Sequence, residues 1–178
     1  MANRSDFQAE LAAALEGEVR FDPYTRALYS TDASNFRIEP LGVATPRHRD
    51  EVNAIVEIAS KHQVAIIPRG SGTSMAGQTL GHGLVVDFTR YLNEVLDFDE
   101  VNHRVTVQPG IVLAELNRRL SSSGWMVGPD PASADRATIG GMVGNNATGA
   151  HSIRYGLTID HILAAEVVLS DGTQTTFE

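Results

Sequence analysis

A mixed helix-and-sheet domain is what these 178 residues predict, on three observations. Residues 42–67 read strand, helix, strand, the order of a parallel βαβ unit. Residues 95–108 and 162–177 each read as two short β-rich runs around a polar turn, the pattern of antiparallel hairpins. Ten of the sixteen glycines fall in two short stretches, 70–83 and 138–156. Glycine costs backbone entropy and serves where the chain needs positive φ or a close backbone approach. Two such clusters suggest two loops that approach something together.

The elements follow in order. Ser5-Asp-Phe-Gln8 reads as a capping box, followed by Leu11, Ala14 and Leu15 on one face and Gly17 as the stop, so a short amphipathic helix opens the chain. Residues 20–40 carry weak periodicity between Pro23 and Pro40 and are expected to form an irregular lead-in. Residues 1–39 are thus an N-terminal helix and lead-in, and residues 40–178 the body of the domain. Gly42–Thr45 is a strand ending at Pro46. Val52, Ile55, Val56 and Ala59 recur at helical spacing, which predicts a helix from Asp50 to His62 with acids at its N-terminus. Val64–Ile67 is expected to be a buried strand that Pro68 stops, and Leu84–Phe88 another strand. Val95–Phe98 pairs with Arg104–Gln108. Pro109-Gly110 breaks the chain, and Ile111, Leu113, Leu116 and Leu120 share one face of a helix ending at Ser123-Gly124. Residues 128–157 are loop-rich, with one helical turn near Thr138–Val143. Ile162–Leu169 and Thr173–Phe177 pair across Asp171-Gly172. A chain that ends inside a hairpin reads as a segment of something longer. A division into two subdomains is expected between Pro109 and Asp130.

Composition narrows the function. Apolar residues make up 42% and charged residues 20%, a globular balance. With no cysteine, disulfides, zinc–cysteine sites, iron–sulfur ligation and a thiol nucleophile are excluded for these residues. The net charge of −8 argues against nucleic acid as a partner, because counterion release would have the wrong sign. No run approaches the ~20 apolar residues that a membrane span needs. Met1–Phe7 lacks an apolar signal region, so the expected location is cytoplasmic. The six histidines show no metal-ligand spacing.

The first glycine stretch, Pro68-Arg-Gly-Ser-Gly-Thr-Ser-Met-Ala-Gly-Gln78, follows a strand, where phosphate loops sit. It holds no lysine, which excludes a Walker loop, and a Rossmann fingerprint would need glycine where Met75 stands. What remains is a run of small residues whose backbone N–H groups can form a nest for a pyrophosphate, with the Ser71, Thr73 and Ser74 hydroxyls added. Alone, this stretch fits such a nest and an unliganded glycine-rich loop equally. The second stretch runs from Thr138 to Gly156, preceded by Gly128-Pro-Asp-Pro-Ala-Ser133. Its Asn145, Asn146, Thr148 and Ser152 are groups of the kind that bond a ring edge or a ribose. Taken together, the two stretches favour a long, polar-headed ligand.

Seven motifs then stand in one order: Pro68-Arg-Gly-Ser-Gly-Thr-Ser, Val85-Val-Asp-Phe, Val107-Gln-Pro-Gly, Pro129-Asp-Pro-Ala-Ser, Ile139-Gly-Gly-Met-Val-Gly-Asn-Asn-Ala-Thr-Gly, Arg154-Tyr-Gly and Glu166-Val-Val-Leu-Ser-Asp-Gly172. With them the chain, from about residue 40 to 178, resembles the FAD-binding domain of the vanillyl-alcohol oxidase / p-cresol methylhydroxylase superfamily. Within it, the D-lactate dehydrogenase and glycolate oxidase D-subunit branch is the most similar. The resemblance implies an α+β, p-cresol-methylhydroxylase-type (PCMH-type) fold of two α/β subdomains with FAD between them. It implies that Pro68, Arg69, Gly70, Ser71, Gly72, Thr73 and Ser74, with Gln78, wrap the FAD pyrophosphate through backbone amides. It further implies that Pro129, Asp130 and Ser133, then Thr138, Gly140, Gly141, Gly144, Asn145, Asn146 and Gly149, line the rest and run toward the flavin. The backbone around Val167 would face the adenine. Covalent members attach the flavin through a histidine where this sequence has Thr73, so noncovalent FAD is expected; His82 is the alternative anchor.

The resemblance also implies oxidation of a D-2-hydroxy acid of the lactate or glycolate type to the 2-oxo acid, by hydride transfer to FAD. The substrate pocket and catalytic residues would belong to a C-terminal domain absent from this chain, which alone would turn over little. The electron acceptor is left open. A nucleotide-binding module without redox activity, or a structural domain with glycine loops, is the alternative. His151 is expected to be a loop histidine bonded to backbone rather than a proton carrier. Arg154 fits a phosphate contact or an ion pair with Asp160 or Glu166. Arg136 is expected in solvent, and Trp125 and Tyr155 in core packing.

Overall fold

The computed structural model describes residues 4–178. The architecture is α+β. Its first sheet has four short strands: β1 (Glu18–Arg20), β2 (Gly42–Thr45), β3 (Ile66–Arg69) and β4 (Leu84–Asp87), in the spatial order β1-β2-β4-β3. β2, β4 and β3 are parallel, and β1 is antiparallel to β2. Helix α1 (Arg4–Ala14) packs on α3 (Arg49–Lys61), and α2 (Pro23–Leu28) lies against β2. Alternation along the strands puts Ala44, Leu84, Val86 and Ile66 in one cluster with Phe7, Leu11 and Leu15, and with Ile55, Ile58 and Ala59 of α3. Val43 and Val85 are also buried, by the same alternation on the other face.

Several sequence expectations shift here. Ser5 sits inside α1, whose first described residue is Arg4, and the segment ahead of it lies outside the described residues. Ala14 is exposed, and Phe7 takes the inward place beside Leu11. The lead-in is partly regular: β1 joins the sheet, and Asp22 caps α2 by accepting from Thr25 N at 2.9 Å, with Pro23 in the first turn. The predicted βαβ unit is split, because β4 lies between β2 and β3. That makes β3 an edge, half-buried rather than buried, and lets it run through Pro68. Ala65 O and Arg69 O accept from β4-side amides at 2.8 and 3.1 Å, so the odd residues face β4 and the proline nitrogen points off the edge.

The second half begins with the hairpin of β5 (Val95–Asp99) and β6 (Arg104–Val107). Helix α4 (Leu113–Leu120) lays Leu116 and Leu120, with Ile111, against Val95, Phe98, Val105 and Val107. Leu113 turns instead toward Ala137 and Met142, in a separate cluster with α5 (Ile139–Asn145). A 3₁₀ turn, Ser121–Ser123, ends at Gly124. After α6 (Ser152–Tyr155) a second 3₁₀ turn, Thr158–His161, occupies the approach to the last hairpin, so β7 (Ala165–Val168) starts later than the sequence suggested. β7 pairs with β8 (Gln174–Phe177) beside α3, where Arg49 meets Glu166 at 2.9 Å. No described helix is long and apolar enough to cross a membrane.

Candidate functional site

The first glycine loop leaves the sheet at the C-terminal end of β3, the end of a parallel strand where open α/β sheets bind ligands. Gly72 and Gly77 adopt φ of +72° and +77°, the left-handed region that lets successive amides turn inward. Among the described residues, no backbone carbonyl accepts from the N–H groups of Ser71 to Thr79. Nine successive donors are therefore left for solvent or an anion.

Gly70 is where this loop meets the second. A Cβ on Gly70 would stand 2.2 Å from the Thr138 hydroxyl oxygen and 3.3 Å from both carbons beside it. The Ser71 hydroxyl donates to the Arg136 carbonyl. An open cavity of about 240 Å³ lies between Tyr29, Asp87 and Thr89 on one side and Arg69–Ser71 on the other. Arg69 folds its guanidinium against Gly72 of the loop, where it donates to Thr31 O at 2.8 Å and lies 5.2 Å over the Tyr29 ring. Ser74 donates to the Gln78 amide oxygen, so these two brace each other, and Thr73 is half-buried.

The second stretch is pinned from both sides. Buried Thr138 caps α5 by accepting from Gly141 N at 3.2 Å. Ile139 N and Gly140 N donate to Ile111 O and Pro109 O at 2.9 and 2.8 Å, and a Cβ at Gly140 would meet Pro109 at 2.7 Å. The opening amides of α5 are thus already satisfied by the protein. What the helix offers outward is the absence of side chain. Nothing lies within 4 Å of where a Gly144 Cβ would be, and only Thr138 Oγ1 near that of Gly141. Three residues apart, both share one helical face.

Other expected ligands turn out to serve the loop itself. Asn145 donates back to Gly141 O at 3.0 Å, and Asn146, at φ +45°, accepts from Ile159 N at 3.0 Å. Asp130 accepts from His151 N at 2.9 Å and pairs with His151 Nδ1 at 3.0 Å, so this histidine meets a carboxylate rather than a carbonyl. Gly149 lies where a Cβ would be 2.0 Å from Asp130 O, and its N–H donates to Ser152 Oγ at 3.0 Å. Pro129 is buried beneath this closure, and Ser133 O accepts from Arg136 N and Ala137 N. Val167 sits mid-β7, opposite Thr175, beside α3 rather than bonded to either glycine loop.

The remaining candidates are settled by their neighbours. Arg154 forms neither expected ion pair: it lies 5.6 Å from the Tyr155 ring centroid, Glu166 pairs with Arg49, and the Asp160 carboxylate accepts from Leu157 N. Arg136 is exposed, as expected. Trp125 and Tyr155 are exposed rather than packed in the core. Trp125 stacks on His103 with centroids 4.0 Å apart, because the β5–β6 turn reaches the chain leaving α4. His82 is exposed.

Sequence reading missed Tyr29, Asp32, Thr79 and Asp87. Asp87 is buried at the end of the apolar strand β4, where it accepts from the Tyr29 hydroxyl and from Thr89 N and Oγ1 at 2.7 Å each. Burial, then the bond to Asp87, raises the Tyr29 phenol well above its ordinary value, so it stays a donor. A carboxylate inside Leu84-Val-Val-Asp87 was the visible signal.

A free amide nest beside a helix face stripped of side chains is what a pyrophosphate with an extended ring system would need, and the residues present fit FAD. Comparison with known proteins agrees. The "FAD binding domain" family matches residues 40–178. The chain is 41% identical over 150 residues to the glycolate oxidase subunit GlcD of Bacillus subtilis, covering 83% of this chain and 32% of that protein. It is 34% identical over 175 residues to D-2-hydroxyglutarate dehydrogenase of Pseudomonas putida, covering 96% of this chain and 17% of that one. Among solved structures, alkyldihydroxyacetonephosphate synthase matches with a TM-score of 0.86 at 26% identity, covering 98% of this chain and 38% of that one. The chain therefore spans about a third or less of the curated relatives it matches. On the family match and the fold, this chain belongs to the FAD-binding domain family, with the α+β architecture of its PCMH type.

Proposed function

We propose that this chain is the FAD-binding part of a flavin-dependent oxidoreductase that oxidises a D-2-hydroxy acid, of the lactate, glycolate or 2-hydroxyglutarate type, to the 2-oxo acid. The observation that carries this is the meeting of two glycine loops at Gly70 and Thr138, which sets the free amides of 71–79 near the bare face of α5. The relatives that bear glycolate oxidase and D-2-hydroxyglutarate dehydrogenase names support the substrate class.

Within this reading, the amides of Gly70–Ser74 hold the pyrophosphate, with Pro68 and Gln78 bounding the loop. Gly141 and Gly144 let the ligand approach the α5 backbone, which a methyl group at either position would obstruct. Pro129, Asp130, Ser133, Gly140, Asn145, Asn146 and Gly149 shape the second wall by the bonds described above, and the backbone at Val167 serves the adenine end. The chemistry that FAD supplies when bound is two-electron oxidation at the α-carbon. The chain's own residues bind and orient; the groups that recognise the hydroxy acid and take its hydroxyl proton belong to a further domain.

Thr73 offers only an alcohol, a weak nucleophile at neutral pH beside the imidazole that covalent members use, and in this reading the cofactor is held noncovalently. The test uses the longer protein that contains this chain. Acid precipitation should release all of the yellow colour, and D-lactate, glycolate or D-2-hydroxyglutarate should bleach the flavin band under anaerobic conditions. Colour left on the precipitate overturns the noncovalent attachment. A flavoprotein that none of the three acids bleaches overturns the substrate class.

A further inference from the structure

The 70–79 loop is held by a segment outside the 40–178 family match. Residues 30–38 close on themselves through a Thr31–Arg37 bridge and Ile38 N donating to Ser30 O at 2.9 Å. Four contacts then join this segment to the glycine loop. Ala33 N donates to Gly72 O at 2.9 Å, and the Thr79 hydroxyl donates to Asp32 Oδ2 at 3.0 Å. Arg69 reaches Thr31 O at 2.8 Å while filling the space beside Gly72, whose Cβ would stand 2.6 Å from the guanidinium. The Phe36 ring occupies the space beside Gly77 at 2.9 Å. Both left-handed glycines of the nest are thus gripped from this segment. Partial burial opposes ionisation of Asp32, yet the hydrogen bonds from Ser34 and Thr79 and the Arg69 charge outweigh it and lower its pKa. Asp32 is therefore a firm acceptor at neutral pH.

We propose that residues 30–38 are a positioning strap for the 70–79 loop, with Asp32 as its anchor: the strap fixes the amide nest in its anion-accepting shape and so sets affinity for a pyrophosphate without supplying a ligand group. This rests on the reading that the 70–79 loop binds the pyrophosphate. An unstrapped glycine loop would pay its ordering entropy on binding; a strapped one is ordered in advance.

The test measures binding of ADP and of FAD to the 178-residue chain, with ³¹P NMR of bound ADP and the melting temperature of the ligand-free chain. Asp32→Ala should weaken both ligands by the same factor, about tenfold, and shift the ³¹P resonances. Asp32→Asn, whose single Oδ1 still accepts from Ser34 N while its Nδ2 donates to the Thr79 hydroxyl oxygen, should restore most of the affinity. The ligand-free melting temperature should move by less than about 4 °C. Thr79→Val, which deletes only the donor, should weaken ADP about threefold, and it decides the matter if Asp32→Ala does not fold. Wild-type affinity in the folded variants, or an asparagine no better than alanine, overturns the strap while leaving the loop's role intact. A wild-type chain that binds neither ADP nor FAD overturns the loop reading and the strap together.

Discussion

Gly70→Ala tests whether the two glycine loops truly meet. The φ of Gly70 is not positive, so alanine carries no backbone penalty there and the effect is steric. The new methyl would stand 2.2 Å from Thr138 Oγ1 and 3.3 Å from Cβ and Cγ2. Of the two other χ1 rotamers of this β-branched side chain, one puts the methyl where the hydroxyl stood and the other puts the Cβ hydrogen there. The contact is thus relieved only by giving up the cap to Gly141 N. Thr138 is buried and is held by its cap to Gly141 N and by the bridge to Val112. Overpacking of this kind costs about 1–3 kcal/mol. Thr138→Ala alone should cost about 1 kcal/mol for the lost cap. It also removes the oxygen and the methyl that the Gly70→Ala side chain would strike, leaving one carbon contact at 3.3 Å, which a shift of a few tenths of an ångström relieves. The double variant should therefore be more stable than the sum of the singles by about 1 kcal/mol or more. Urea unfolding of the four proteins measures this, with each kcal/mol also visible as about 2–4 °C in melting temperature. Additivity within about 0.5 kcal/mol would refute the contact.

Glu51, buried in α3, accepts from Glu16 N and Arg47 N at 2.9 and 2.8 Å; Glu51→Ala leaves both amides without their acceptor and should cost about 3 kcal/mol by urea unfolding, with Glu51→Gln costing less. Gly149→Ala drives a methyl to 2.0 Å from the Asp130 carbonyl, a backbone atom that cannot rotate away, and should weaken FAD binding at least about tenfold in a fluorescence titration. Glu115, bonded by Arg118 and then Arg119, has its carboxyl held down at about 2 against an ordinary 4.5. Because the folded value is the lower one, its stabilisation is present above pH 4.5 and is lost as pH falls toward 2. The melting-temperature deficit of Glu115→Gln should shrink over that range, and 1 M salt should reduce it at pH 7.

What was legible in the sequence was local. Helical spacing marked α3 and α4, and polar turns marked both hairpins, because neighbouring residues alone decide those patterns. Pro68 misled because a proline stops a central strand but not an edge, and the insertion of β4 that creates the edge is a long-range event. The lead-in hid β1, which is only three residues long, and α2, whose Asp22-Pro23 start was stronger than its periodicity. At the site, glycine density pointed to both loops. It could not assign side chains such as Asn145 and Asp130, whose partners are set by the closure of the loop, nor find Tyr29 and Asp32, which meet Arg69 and Thr79 from 40 and 47 residues upstream in chain order.

The most direct test of the central claim is an FAD titration of the 178-residue chain, followed by desalting, with ADP as competitor. Flavin bands near ~450 nm that survive desalting, with ADP displacing the cofactor, are the predicted result. A chain that stays colourless at every FAD concentration, or that holds flavin with no competition from ADP, would contradict a pyrophosphate nest in the 70–79 loop.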